Sequence, residues 1–202
     1  MILAFVAAIP ILVQTKGMNR FKLRAGIPLL IVPIYLLASH GFGQPKQAGS
    51  PQYSASGAMV FPADYRTWTF LTSGLAMTYG TAAAAGADSN PNFDNVFVNP
   101  AAYNSFLKTG TWPDKTVLIL EVRGSDSKVS INKGGRVQTK VIGVEAHVKD
   151  AARGGWAFYA FEPGAAEASL LPKTRNCYSC HEQNGAVDTT FVQFYPTLSV
   201  SR

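Results

Sequence analysis

Thr116-Val-Leu-Ile-Leu-Glu-Val122, Val141-Ile-Gly-Val-Glu-Ala-His-Val148 and Gly155-Trp-Ala-Phe-Tyr-Ala-Phe161 are the stretches on which the fold turns. Each is seven or eight residues long and dominated by β-branched, aliphatic or aromatic side chains, the pattern of sheet strands. Gly-rich turns separate them, Asn132-Lys-Gly-Gly135 before the second and Gly154-Gly155 before the third, so neighbours can pair antiparallel. Asn95-Val-Phe-Val98 adds a further candidate strand. The expected class is α+β, a curved antiparallel sheet with helices at its ends.

Outward from this sheet, Asn99-Pro100 reads as a helix start, with a side-chain cap and proline at the first helical position. Tyr103, Phe106 and Leu107 fall on its inner face and Gly110 ends it. Nearer the N-terminus, Pro62 can open a helix in which Tyr65, Trp68, Leu71 and Leu75 recur at helical spacing. Gln44 to Met59, rich in Gly, Ser, Ala, Gln and Pro, suits a linker at 44–59 ahead of a domain at 60–202.

Residues 1–43 read as a leader. Asn19 to Arg24 is charged, Ile27 to Ala38 is apolar, and small residues follow, with cleavage expected between Ser39 and Gln44. The apolar run has 12 residues and two prolines, short of the roughly 20 residues of a bilayer span. Met18 is a candidate start, because Met1 to Val13 lacks the basic residues that open such a signal. Export to the periplasm is the expectation. The formal charge of +6 belongs largely to this leader, which holds Lys16, Arg20, Lys22 and Arg24. From Gln44 onward 14 basic side chains face 12 acidic ones, with no basic run, so no nucleic-acid footprint is present.

Cys177-Tyr-Ser-Cys-His181 contains the only two cysteines of the chain. It is the attachment pattern of a c-type haem. Residues three apart share a helical face, so both thiols can reach the two vinyl groups of one porphyrin, and the next residue brings an imidazole under the iron. Other uses of the spacing are a redox dithiol, a zinc site or a short disulfide. The first wants a βαβ context that is missing, and the second wants ligands beyond His147, the remaining histidine after the leader. The third closes a loop too short to stabilise much.

The chain also resembles the cytochrome P-460 and cytochrome c′-beta family of exported bacterial haem proteins. The likeness runs through Phe61 to Trp68, Phe93 to Tyr103, Thr109 to Thr116, Gly143 to Asp150, Gly155 to Phe158, Cys177 to His181 and Phe191 to Leu198. It implies a five-stranded, mainly antiparallel domain with one covalent haem c per chain, His181 as proximal iron ligand, and a homodimer. Members that oxidise hydroxylamine carry a lysine joined to the porphyrin directly before a glutamate. Here Glu121 is that glutamate and Leu120 precedes it, the nearest lysine being Lys115, so the cross-link is expected to be absent. Leu120 instead offers the apolar surface of gas-binding members. The family's distal carboxylate falls on Glu145, and His147, two residues on in the strand, shares its face, so the pair is a candidate proton relay or a hydrogen-bonded pair at the sheet edge.

Phe93, Trp156 and Phe158, with Phe191, Phe194 and Tyr195, have the bulk either to wall a porphyrin or to fill an ordinary core. Met59, Met77 and His147 are the available sixth ligands, and none sits in a ligand motif, which favours five-coordinate iron with an open face. The expected function is a haem module that binds small diatomic or nitrogen-oxide ligands and exchanges electrons with a partner protein. A hydroxylamine-oxidising enzyme and a plain electron carrier are the alternatives.

Overall fold

The computed structural model describes residues 48–77, 90–128, 131 and 134–199, all within the compact unit Gly43–Arg202. The leader expected at 1–43 lies outside the described residues. Among the described residues there are seven strands: β1 Met59–Val60, β2 Thr69–Leu75, β3 Phe93–Val98, β4 Val117–Asp126, β5 Val137–Asp150, β6 Gly155–Phe161 and β7 Glu167–Ala168. The described residues also form two α-helices, α1 Pro100–Thr109 between β3 and β4 and α2 Asn176–Asn184 after β7. Strands β2 to β6 form one open antiparallel sheet in sequence order, and β1 pairs with β7 separately. No helix among the described residues is long and apolar enough to cross a membrane.

The α+β expectation therefore holds, with the second and third opening stretches inside single strands and the first inside β4 apart from Thr116. The β5 to β6 turn is a 3-10 turn at Ala151–Arg153 whose exit needs left-handed backbone, φ 87° at Gly154 and 90° at Gly155. Only glycine adopts such angles without strain.

Because alternate residues of a strand face opposite ways, the sheet has two distinct apolar faces. One carries Val117, Ile119, Val144, Ala146, Val148, Tyr159 and Phe161, closed over by Met59, Tyr65 and Trp68. The other carries Val98, Leu118 and Trp156 and packs against Ala102 of α1, Trp112 and the C-terminal residues Phe191, Val192 and Tyr195. The site lies on this second face.

Three local expectations change. The helix read from Pro62 is a single 3-10 turn, Tyr65–Thr67, followed by β2. Thr69 and Thr72 are β-branched and disfavour a helix, and pairing with β3 satisfies the backbone. Asn99 precedes α1, yet its side chain does not cap that helix: its amide Nδ2 donates to the Lys115 carbonyl at 3.2 Å, and its Oδ1 accepts from the Val117 amide at 2.9 Å. It thereby clamps the start of β4. Leu107, expected inside, is 40% exposed, while Ala102 takes the buried position. Inside the stretch read as a linker, Tyr53 bridges to Met59, and Met59 is 1% exposed in the core.

Candidate functional site

Cys177, Cys180 and His181 all lie on α2, and both cysteines are free and half-buried. The helix is docked by a residue within the motif: the Tyr178 hydroxyl accepts from the Phe158 amide at 3.1 Å and donates to the Leu171 carbonyl at 3.0 Å. Its ring meets Phe158 edge-on at 4.9 Å. The spacer between the cysteines thus bolts the helix to edge strand β6.

The chain after α2 folds back tightly. A Cβ on Gly185 would lie 2.7 Å from the His181 carbonyl oxygen and 2.8 Å from the Thr190 nitrogen, so only glycine permits this approach. The returning loop is fixed by Thr190, which accepts from the Trp112 indole at 2.8 Å, and by the Lys149–Asp188 pair at 3.0 Å. Asp188 itself takes the uncommon left-handed backbone at φ 51°. The fold-back brings the Thr189 carbonyl to 2.7 Å from Nδ1 of His181. A carbonyl only accepts, so Nδ1 carries the proton and Nε2 keeps its lone pair for a metal. Burial lowers the pKa of His181 despite that hydrogen bond, which keeps the ring neutral and able to ligate.

His181 sits among aromatic rings: Phe191 at 4.2 Å, Phe158 at 4.7 Å and His147 at 4.9 Å. His147 stacks on Phe158 at 4.0 Å with planes 8° apart, touches Trp156 at 4.4 Å, and hydrogen-bonds through Nε2 to the Thr189 hydroxyl at 3.1 Å. Burial, then the neighbouring His181 and Lys173, push its pKa well below the ordinary histidine value. Trp156 keeps its buried indole N–H without a partner.

Across the sheet, Val98, Leu118, His147 and Phe158 lie side by side, all buried. Two residues along each strand the next row is Val96, Leu120, Glu145 and Ala160, with Leu120 directly opposite Glu145. There the cover ends: Val96 and Leu120 are half-buried, and Glu145 and Ala160 are exposed. A partly apolar sheet surface thus begins beside the residues packed on His181. Among the described residues Glu145 has no ion pair or side-chain hydrogen bond, and although its surface is exposed, partial desolvation raises its pKa against the pull of Arg175. Asp94, on the same face by strand alternation, is raised by burial and then by Glu145.

Glu145 and His147 share a face as their spacing requires, but they do not bond to each other: His147 is committed to Thr189, beside His181. Phe158 and Trp156 are at the site. Phe93 is not, because β3 alternation turns it with Asn95 and Phe97 to the opposite face, away from Val96. Met59 is in the core of that opposite face, and Met77 is 60% exposed beyond β2. Glu121 also faces away from Leu120. Its buried carboxylate receives the Tyr65 hydroxyl, Arg66 at 2.7 Å and the Arg123 guanidinium. Lys115 is held by Asp150. The sequence reading missed Thr189, Tyr178 and Gly185, whose roles depend on a fold-back that no spacing announces.

The donor set is one available imidazole nitrogen and two thiols on one helix, and no group of three or more His, Cys, Asp or Glu among the described residues could hold a bare metal ion. Two thiols three residues apart on one helix, followed directly by a neutral imidazole, fit a haem c. A family model for cytochrome P460 matches residues 62–192. The chain belongs to the cytochrome P460 family. It is thus broadly a haem c cytochrome, and the matched span takes in the whole sheet from β2 to β6, α1, α2 and the Thr189 fold-back. Among curated proteins no match to the chain was found.

Proposed function

We propose that this cytochrome P460 family member carries one haem joined by thioethers to Cys177 and Cys180, with His181 as proximal ligand and an open opposite face that binds nitric oxide, carbon monoxide or a related nitrogen-oxide ligand. The supporting observation is His181 itself: Nδ1 is tied to the Thr189 carbonyl, leaving Nε2 for iron, next to an incompletely covered row that includes Leu120. When bound, the haem supplies a redox-active iron centre.

The protein's residues do the rest. Cys177 and Cys180 would hold the haem through thioethers, the product of adding each S–H across a vinyl group. Phe158 and Phe191 pack against the ring of half-buried His181 and limit its contact with water. Leu120 and Val96 present apolar surface suited to a small uncharged ligand, and Glu145 offers a carboxyl that keeps its proton to higher pH than usual. Met59 belongs to the opposite core and His147 is engaged with Thr189, so neither would serve as a second ligand to a haem iron. Leu120 has no nucleophile for a porphyrin cross-link, which weighs against the hydroxylamine-oxidising chemistry of lysine-bearing members. Export to the periplasm, a redox partner protein and a homodimer complete the proposal.

The test is the absorption spectrum of the reduced protein with and without carbon monoxide. Haem bands that shift on adding the gas support the reading. Bands that do not move overturn it in favour of a two-ligand electron carrier.

A further inference from the structure

Among the described residues, Thr189 hydrogen-bonds to both histidines of the site. Its carbonyl accepts from Nδ1 of His181 at 2.7 Å, and its hydroxyl meets Nε2 of His147 at 3.1 Å. His147 in turn is clamped between Phe158 and Trp156, and it sits on β5, the strand with a neighbour on both sides at this point. The loop carrying Thr189 has no sheet partner of its own. Its place is set by Trp112 to Thr190, Lys149 to Asp188, the Gly185 approach and this histidine.

We propose that His147 is a positioning residue for the iron ligand: through the Thr189 hydroxyl it fixes the carbonyl that polarises His181, and so sets how strongly His181 donates to the haem. This rests on the haem reading above. A proximal imidazole whose N–H is held firmly by an acceptor gains negative character, binds iron more strongly and favours the ferric state. Loosening the acceptor weakens the iron–histidine bond and favours the ferrous state. The sheet thereby reaches the metal through one side-chain hydrogen bond and one backbone carbonyl.

The geometry makes the arrangement one unit rather than two contacts. Thr189→Val keeps the carbonyl, the β-branch and nearly the same volume while deleting only the hydroxyl. His147→Phe keeps a flat aromatic ring between Phe158 and Trp156 while deleting both ring nitrogens, including the Nε2 that meets Thr189. If both act on the same carbonyl, either change produces the effect and the second adds little, the non-additivity expected of coupled residues.

The experiment uses haem-loaded full-length protein in the wild type, Thr189→Val, His147→Phe, the double variant and Thr189→Ser. The readouts are the midpoint potential and the iron–histidine stretching frequency of the ferrous state. Each single variant is expected to raise the ferrous-to-ferric ratio at fixed poise by on the order of tenfold, about 59 mV for one electron, with a lower stretching frequency. The double variant should match the singles, and Thr189→Ser, which keeps the hydroxyl, should stay near the wild type. Unchanged potential and frequency in both single variants would overturn the inference while leaving the haem reading intact. A shift in Thr189→Ser equal to that of Thr189→Val would also overturn it, by assigning the effect to packing. Wild-type protein without covalent haem would instead defeat the reading beneath it.

Discussion

Replacing Glu121 with Gln removes one charge from the most connected carboxylate of the fold, and its cost follows from the structure. Burial alone would raise this carboxyl, but hydrogen bonds from Arg123, Tyr65 and Arg66 and the charge of Arg123 outweigh it and hold the pKa at about 2, against 4.5 for the free side chain. That difference corresponds to roughly 3 kcal/mol of folding stability, at about 1.36 kcal/mol per unit. Arg66 is half-exposed, so solvent screening trims the figure to about 2–3 kcal/mol. The folded pKa is depressed, so the stabilisation is full above the unfolded value of 4.5 and disappears as pH falls from there through about 2. Urea unfolding followed by far-UV circular dichroism at pH 7, 5, 4 and 3 should show Glu121→Gln less stable by about 2–3 kcal/mol at pH 7, with the gap narrowing toward pH 3. A gap below about 0.5 kcal/mol at pH 7, or one that stays constant down to pH 3, would refute the reasoning.

Four further outcomes are expected. Tyr178→Phe leaves the Phe158 amide and Leu171 carbonyl without their shared partner and should lower stability by about 1–2 kcal/mol, as read from the urea midpoint. Gly185→Ala forces a methyl group against the His181 carbonyl and the Thr190 nitrogen, so stability should fall by about 1–3 kcal/mol in the same assay. Leu120→Phe fills the row beside Glu145 and should slow carbon monoxide association in flash photolysis severalfold, whereas Val60→Ala, on β1, should leave it unchanged. Because the Glu145 pKa is raised, the midpoint potential should fall as pH rises through a window above the ordinary carboxylate range, and Glu145→Gln should flatten that slope; Asp94 and Arg175 are the charges that share its surroundings.

The sheet was legible because its strands are rich in residues that suit only an extended chain: Thr116 to Val122 and Gly155 to Phe161 contain no competing helical pattern. Residues 62–75 misled because Trp68, Leu71 and Leu75 mimic a helical stripe, and the strand pairing that decides their state is with the separate segment Phe93–Val98. Cys177, Cys180 and His181 were legible because their roles follow from spacing within one helical turn. The supporting shell was not. Asn99 looks like a cap but clamps β4, and Thr189 gains its role from a loop shaped by Gly185, Trp112 and Lys149, three residues scattered over the chain. His147 was visible as a histidine in a strand. Its commitment to His181's loop rather than to Glu145 depends on which elements cover each row of the sheet, and sequence spacing carries no such information.

The most direct test of the central claim is the intact mass of mature protein made in cells with a working cytochrome-maturation system, alongside a Cys177→Ala/Cys180→Ala variant. The account predicts a gain of one haem per wild-type chain that survives acid-acetone extraction, and no retained haem in the variant. Wild-type chains that carry no added mass and titrate as two free thiols would contradict it.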